Sequence, residues 1–216
     1  MTSALPHGVV AADAQSACEG RVASSDAHVE LFAQGFAVRD GFLSPTRVAE
    51  LLACMQERRG RGEFGAARIG AESRLRRLEE VRGDFTCWLA PPLFPAEQDL
   101  LADLEQLRLQ LNAEGLLGLF DLEAHYANYP PGTHYARHVD QPLGRKDRIL
   151  SFIVYLNAQW CPADGGELRL FMSDGACRDI APVGGRLVYF LTADREHAVL
   201  CTQAARSSIS GWFRRR

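Results

Sequence analysis

His138 and Asp140 stand two positions apart in the segment His134-Tyr-Ala-Arg-His-Val-Asp140. In an extended strand, residues two apart project to the same side, so an imidazole and a carboxylate converge on one point. A third candidate donor, His197, follows far downstream, just past an apolar run that reads as another strand. Two imidazoles and one carboxylate on one side leave three coordination positions free, which is the ligand set of a non-haem Fe(II) oxygenase. Zn(II) is the competing metal, but structural zinc usually takes a fourth protein ligand. Arg206 comes nine positions after His197, at the head of the alternating run Ser-Ser-Ile-Ser-Gly-Trp-Phe213. A guanidinium fixed on a strand beside such a metal suits a carboxylate co-substrate, because its fork binds both oxygens at once. His125 and His134 read as surface or strand histidines, and Arg137 and Asn157 as structural residues.

The elements that must position these groups are legible in outline. Phe36–Leu43 reads as a short strand and turn. Ser44-Pro45 then opens a helix, with Ser as N-cap and Pro in the first turn. Val48, Leu51, Leu52 and Met55 recur at helical spacing, and the helix ends near Gly60. Asp84–Leu89 reads as a strand broken by Pro91-Pro92. Residues 96 to about 113 form a second amphipathic helix through Leu100, Leu101, Leu104 and Leu107, closed by Gly115. Beyond it the pattern is almost entirely strand. Two helices followed by seven or eight short strands predict an α+β, mainly β chain: a double-stranded β-helix, or jelly roll, with the helices packed on one sheet.

Composition narrows the function classes. The chain has 216 residues, enough for one domain with a sizeable core, and its net charge of −3 offers no global attraction to nucleic acid. The six cysteines are scattered without a CxxC pair, which fits reduced thiols in a cytoplasmic protein. No apolar stretch reaches transmembrane length, and the N-terminus lacks the pattern of a secretory signal. Residues 1–28 are rich in Ala, Ser, Gly and Asp and read as a flexible arm ahead of a single domain, 29–216. Residues 58–84 hold Gly60, Gly62, Gly65, Gly70, Gly83 and a run of arginines (Arg68, Arg74, Arg76, Arg77 and Arg82), with few positions that could be buried. Their plain reading is a solvated loop or hairpin.

The segments Tyr129-Pro-Pro-Gly, Tyr135-Ala-Arg-His-Val-Asp140-Gln-Pro, Tyr155-Leu-Asn157, Gly165-Gly-Glu-Leu-Arg-Leu-Phe171 and Arg206…Gly-Trp-Phe213 together resemble the 2-oxoglutarate- and Fe(II)-dependent dioxygenases. Among these the chain is similar to the prolyl 4-hydroxylase superfamily, in the branch of the hypoxia-inducible-factor prolyl hydroxylases and their bacterial relatives. The likeness runs from about Phe36 to Phe213, and Arg82-Gly-Asp84…Trp88 adds to it. The resemblance implies that His138, Asp140 and His197 bind Fe(II). It implies that Arg206 pairs with the distal carboxylate of 2-oxoglutarate, with Tyr155 beside it and Tyr129 on the neighbouring strand. Ile153 and Leu168 would form apolar wall, and Trp212 would pack near the metal. Residues 60–84 would be a mobile finger over a protein substrate, with Asp84 paired to Arg148 at its base.

The implied reaction is 4-hydroxylation of a prolyl residue with O2, giving succinate and CO2, with ascorbate supportive. Bacterial members of the branch are associated with a prolyl residue of elongation factor Tu. The finger sequence departs from the animal enzymes, so their peptide preference does not carry over. A monomer, with neither nucleic acid nor membrane as partner, is expected. Two other readings stay open: the same core acting on a free amino acid or other small molecule, and a jelly-roll module that only holds metal.

Overall fold

The computed structural model describes residues 24–67, 81–141, 146–193 and 195–216. Three helices precede most of the strands: α1 (Ser24–Gln34), α2 (Pro45–Gly60) and α3 (Pro95–Gly115). The strands are β1 (Phe36–Arg39), β2 (Gly65–Ala66), β3 (Phe85–Trp88), β4 (Asp121–Tyr129), β5 (Tyr135–His138), β6 (Arg148–Tyr155), β7 (Leu168–Phe171), β8 (Cys177–Ile180), β9 (Leu187–Leu191), β10 (His197–Val199) and β11 (Arg206–Arg214). They form a seven-stranded sheet in the order β1-β9-β6-β11-β4-β3-β2 and a four-stranded sheet in the order β5-β10-β7-β8. This is the jelly roll that the sequence predicted.

Each strand at the centre of the large sheet divides its side chains between two packed faces. On β4, β6, β9 and β11, residues such as Tyr126, Phe152, Val154, Tyr189, Ile209 and Phe213 meet the helix leucines Leu51, Leu100, Leu104, Leu107 and Leu111. Their alternates, among them Ile153, Tyr155, Val188 and Phe190, pack with Leu168, Leu170 and Ile180 of the small sheet. Burial on both faces explains why these strands read as apolar runs rather than clean alternation.

Ser44 caps α2 as expected, accepting from the Arg47 amide at 3.3 Å. The short strands β2 and β10 are not marked by the sequence reading, and neither are α1 and β8. Helix α1 begins at Ser24, inside the stretch read as a flexible arm, while residues 1–23 lie outside the described residues. From Val29 to Gln34 only Leu31 is fully buried, so α1 docks through one anchor and leaves no helical period in the sequence. Strand β8 also escaped notice, because three of its four residues are exposed. Among the described residues, Cys54, Cys87, Cys161, Cys177 and Cys201 are free thiols.

A buried ion pair joins the helix layer to the sheet. Arg58 of α2 donates from Nε and Nη2 to the two oxygens of Glu97, each at 2.7 Å, and from Nη1 to Glu63 at 2.6 Å. Glu97 also accepts from the Phe94 amide at the start of α3 and from the Tyr126 hydroxyl of β4. Glu97 is 0% exposed, so its charge depends on Arg58 for compensation. Arg58→Met is expected to lower the unfolding free energy by about 3–5 kcal/mol in urea titrations, because it strands that carboxylate.

Candidate metal centre

Strands β5 and β10 pair antiparallel with His197 opposite His138, which sets the two imidazoles side by side at 4.1 Å between ring centroids. Asp140 follows just beyond the end of β5. Its Oδ1 lies 3.5 Å from His138 Nε2 and its Oδ2 lies 3.6 Å from His197 Nε2. One donor atom from each of the three residues falls within 4.8 Å of the others, an arrangement able to hold a metal ion.

The atoms behind these donors fix their direction. His138 Nδ1 lies 2.8 Å from the Ala136 carbonyl and His197 Nδ1 lies 3.2 Å from the Arg195 carbonyl. A carbonyl can only accept, so each Nδ1 carries the proton and each Nε2 lone pair faces the centre. The Ser151 hydroxyl donates to Asp140 Oδ2 at 2.6 Å. Burial opposes charge on Asp140, but the imidazoles of His197 and His138 and the Ser151 hydroxyl outweigh it and hold its carboxyl well below the usual carboxylate range. Burial pushes the His197 imidazole down to about 4, against the pull of Asp140. Ionised carboxylate and neutral imidazole are the forms that bind a divalent cation.

Beside this centre Arg206 is 3% exposed, yet among the described residues no carboxylate pairs with it. Its Nε donates to the Gly166 carbonyl at 2.8 Å, and its Cζ lies 5.1 Å from the ring centres of Tyr129 and Tyr155. Gly166 has φ +74, and a Cβ there would sit 3.0 Å from Arg206 Cδ, so the Gly165-Gly166 turn leaves the guanidinium its room. Arg206 Nη2 and the Tyr155 hydroxyl are both buried without a partner. Burial holds the Tyr129 and Tyr155 phenols protonated, against the nearby Arg206 charge. Buried donors around an uncompensated cation fit a carboxylate ligand, since leaving such groups unmet is costly.

The structure separates one pair that the resemblance joined. Asp84 is bound by Arg82, with Nε at 2.6 Å and Nη2 at 3.0 Å, and not by Arg148. The two residues stand two apart on one extended segment, which supplies the closer cation. Arg148 instead donates to Glu123 at 2.8 Å and to the Asp140 carbonyl at 3.1 Å, and its guanidinium stacks 3.4 Å over Trp212. Residues 68–80 of the expected finger lie outside the described residues.

Ser151, to which the sequence reading gave no role, Tyr135, and His125, read as a surface or strand histidine and found on β4, also gather here. Ser151 needed the pairing of β6 to be seen. His125 is buried, stacked at 5.5 Å on Trp212 and tilted at 4.9 Å against the half-exposed Trp88. Tyr135 stacks on His138 with ring centroids 3.5 Å apart and planes at 15°.

Residues 124–214 match the family model of the 2OG-Fe(II) oxygenase superfamily. A solved Pseudomonas putida prolyl-4-hydroxylase is 38% identical, with a TM-score of 0.79, and the comparison covers 89% of this chain and 98% of that one. The chain belongs to the prolyl hydroxylase branch of the 2OG-Fe(II) oxygenase superfamily. A Trichoplax adhaerens prolyl hydroxylase, solved with a peptide fragment of the hypoxia inducible factor oxygen degradation domain, is 26% identical with a TM-score of 0.78, covering 87% of both chains. Human Egl nine homolog 1 is 34% identical over 145 residues, which are 62% of this chain and 33% of that protein. The chain therefore spans about a third of the length of that curated relative. Among the described residues, no helix is long and apolar enough to cross a membrane.

Burial also pushes the His125 imidazole down to about 4, from its ordinary 6.5. Protonation then favours the unfolded chain, so this contribution is full above pH 6.5 and is lost as pH falls toward 4. Urea unfolding of metal-free protein is expected to show stability falling over that window by on the order of 2–3 kcal/mol per such histidine. His125→Met is expected to flatten the slope.

Proposed function

We propose that the chain is an Fe(II)- and 2-oxoglutarate-dependent dioxygenase that hydroxylates a prolyl residue of a protein substrate at the 4-position. The observation that carries this reading is the pairing of two features in one pocket. The three donors His138, Asp140 and His197 converge on one point, and the buried Arg206 Nη2 and Tyr155 hydroxyl have no partner in the protein. A protein that only stores metal has no use for a desolvated guanidinium next to it. Fe(II) held by His138, Asp140 and His197, with 2-oxoglutarate and O2, would supply the oxidising power to hydroxylate an unactivated C–H bond, with succinate and CO2 as co-products.

Each residue has a task that follows from its position. His138, Asp140 and His197 would hold the metal, and three protein donors would leave coordination positions for the co-substrate. Ser151 keeps Asp140 turned toward the two imidazoles, and the Arg148 side chain ties the Asp140 carbonyl to β6. Arg206 and the Tyr155 hydroxyl bind the distal carboxylate of the co-substrate, with Tyr129 walling the same pocket. Ile153 and Leu168 keep that pocket dry. Trp212 and Arg148 border the substrate side, and Asp84 with Arg82 anchors the finger's base.

The prolyl assignment rests on relatives described as prolyl hydroxylases, one of them holding a peptide. Elongation factor Tu is the substrate we would test first, with ascorbate in the assay. The reading further holds that the chain acts as a monomer in the cytoplasm.

The test is anaerobic addition of Fe(II) and 2-oxoglutarate, followed by O2 and elongation factor Tu, with peptides searched for a gain of one oxygen on proline. His138→Ala and Asp140→Ala are expected to abolish turnover in folded protein; normal turnover in either would refute the metal assignment. Arg206→Ala is expected to raise the 2-oxoglutarate requirement roughly 10- to 100-fold, the loss of a charged buried hydrogen-bonding partner, while Fe(II) still binds. Unchanged co-substrate dependence would remove Arg206 from its role.

A further inference from the structure

We infer that Arg82 and Tyr135 are positioning residues for the metal ligand His138, acting on it through a stack that runs from the Arg82 guanidinium to the phenol ring and on to the imidazole. The inference rests on the iron reading above. Tyr135 and His138 are three residues apart, so a regular strand would point them to opposite faces. The pairing of β5 with β10 is irregular, however: His197 faces His138 and Val199 faces Tyr135, so two steps along β10 match three along β5. The extra residue in β5 turns Tyr135 onto the same side as His138, the effect of a β-bulge. The rings then lie 3.5 Å apart and nearly parallel, at 15°.

Arg82 extends the stack. Its Cζ lies 4.6 Å from the Tyr135 ring centre, within the range of a cation–π contact. Its Nε and Nη2 are spent on Asp84, whose side chain is fully buried, so the guanidinium is held in one place. The backbone fixes the same contact. The Ala136 amide donates to the Val81 carbonyl at 2.8 Å, and the Gly83 amide donates to the His134 carbonyl at 3.0 Å. A Cβ on Gly83 would come within 2.6 Å of Thr133 Cβ, so only glycine allows this segment to lie so close to the strand of the metal ligand. The Ala136 carbonyl orients His138 through Nδ1, and Tyr135 sets the plane of the ring. Two independent restraints on one imidazole are what a preorganised metal ligand requires.

The stack also assigns a purpose to the Arg82-Asp84 pair. Asp84 holds the cation over Tyr135, and Tyr135 transmits that placement to the ligand. The segment Arg82–Asp84 in this way reaches the ligand His138 through the Tyr135 ring.

The test uses the full chain under anaerobic conditions, with Fe(II) and 2-oxoglutarate as probes. Tyr135→Leu and Arg82→Gln are each expected to weaken Fe(II) binding about 10-fold, the scale of lost outer-sphere support, and to shift the metal-to-ligand charge-transfer band. Tyr135→Phe keeps a ring against His138 and is expected to bind Fe(II) like the wild type. The double variant Arg82→Gln/Tyr135→Leu is expected to bind no more weakly than Tyr135→Leu alone, because Arg82 acts through the ring. Circular dichroism melts identify the folded variants. Folded Tyr135→Leu and Arg82→Gln with wild-type affinity and an unshifted band would overturn the inference, and so would additive losses in the double variant. A wild-type chain that binds no Fe(II) would overturn the proposed function itself.

Discussion

The central strands β4, β11 and β6 are buried on both sides, and the rest of the molecule depends on that constraint. A one-residue slip would move every side chain of a strand to the opposite face, and a strand covered on both faces cannot absorb it, because the slip exchanges two packed sets of side chains. Ile209 and Phe213 must reach the helix layer, so Arg206, Ser208 and Trp212 must point between the sheets. The apolar packing of the helices therefore aims the polar residues of the pocket. A buried arginine on β11 is held in place by leucines on α3 that it never touches.

The small sheet obeys a looser rule. Its strands are short, and the β5–β10 pair carries an irregular register. That irregularity sits where two of the three metal donors face each other. The irregular pairing lies opposite the regular seven-stranded sheet, so the histidines and the buried Arg206 come from sheets of different regularity. The contacts behind the donors follow this division. Ser151, on the large sheet, orients Asp140, whereas the backbone carbonyls of Ala136 and Arg195 orient the two histidines from the small sheet's own segments.

Charge is managed by proximity in sequence as much as by the fold. Asp84 takes Arg82, two residues away, and Arg148 on β6 takes Glu123 on β4, across β11, so the pair inferred from resemblance does not form. Arg58 and Glu97 form the opposite case, a buried pair far apart in the chain that ties the helix layer together. Of the two buried arginines among the described residues, Arg58 has its carboxylate and Arg206 has none, and the carboxylate it lacks is the one a 2-oxo acid would bring.

The sequence by itself determined the ligand set, the two amphipathic helices and the jelly-roll class. His138 and Asp140 declare themselves because a two-residue spacing has one meaning in a strand, and Leu100, Leu104 and Leu107 because helical spacing has another. It could not reveal α1, whose described part buries a single leucine, or β8, whose side chains are mostly exposed, since neither carries a period. Only the tertiary structure decided that Tyr135 lies on His138, that Ser151 serves Asp140 and that Asp84 prefers Arg82. Each of these depends on register, on a bulge or on which of two cations lies nearer. Such choices are made by packing between segments distant in the chain, and local spacing carries no record of them.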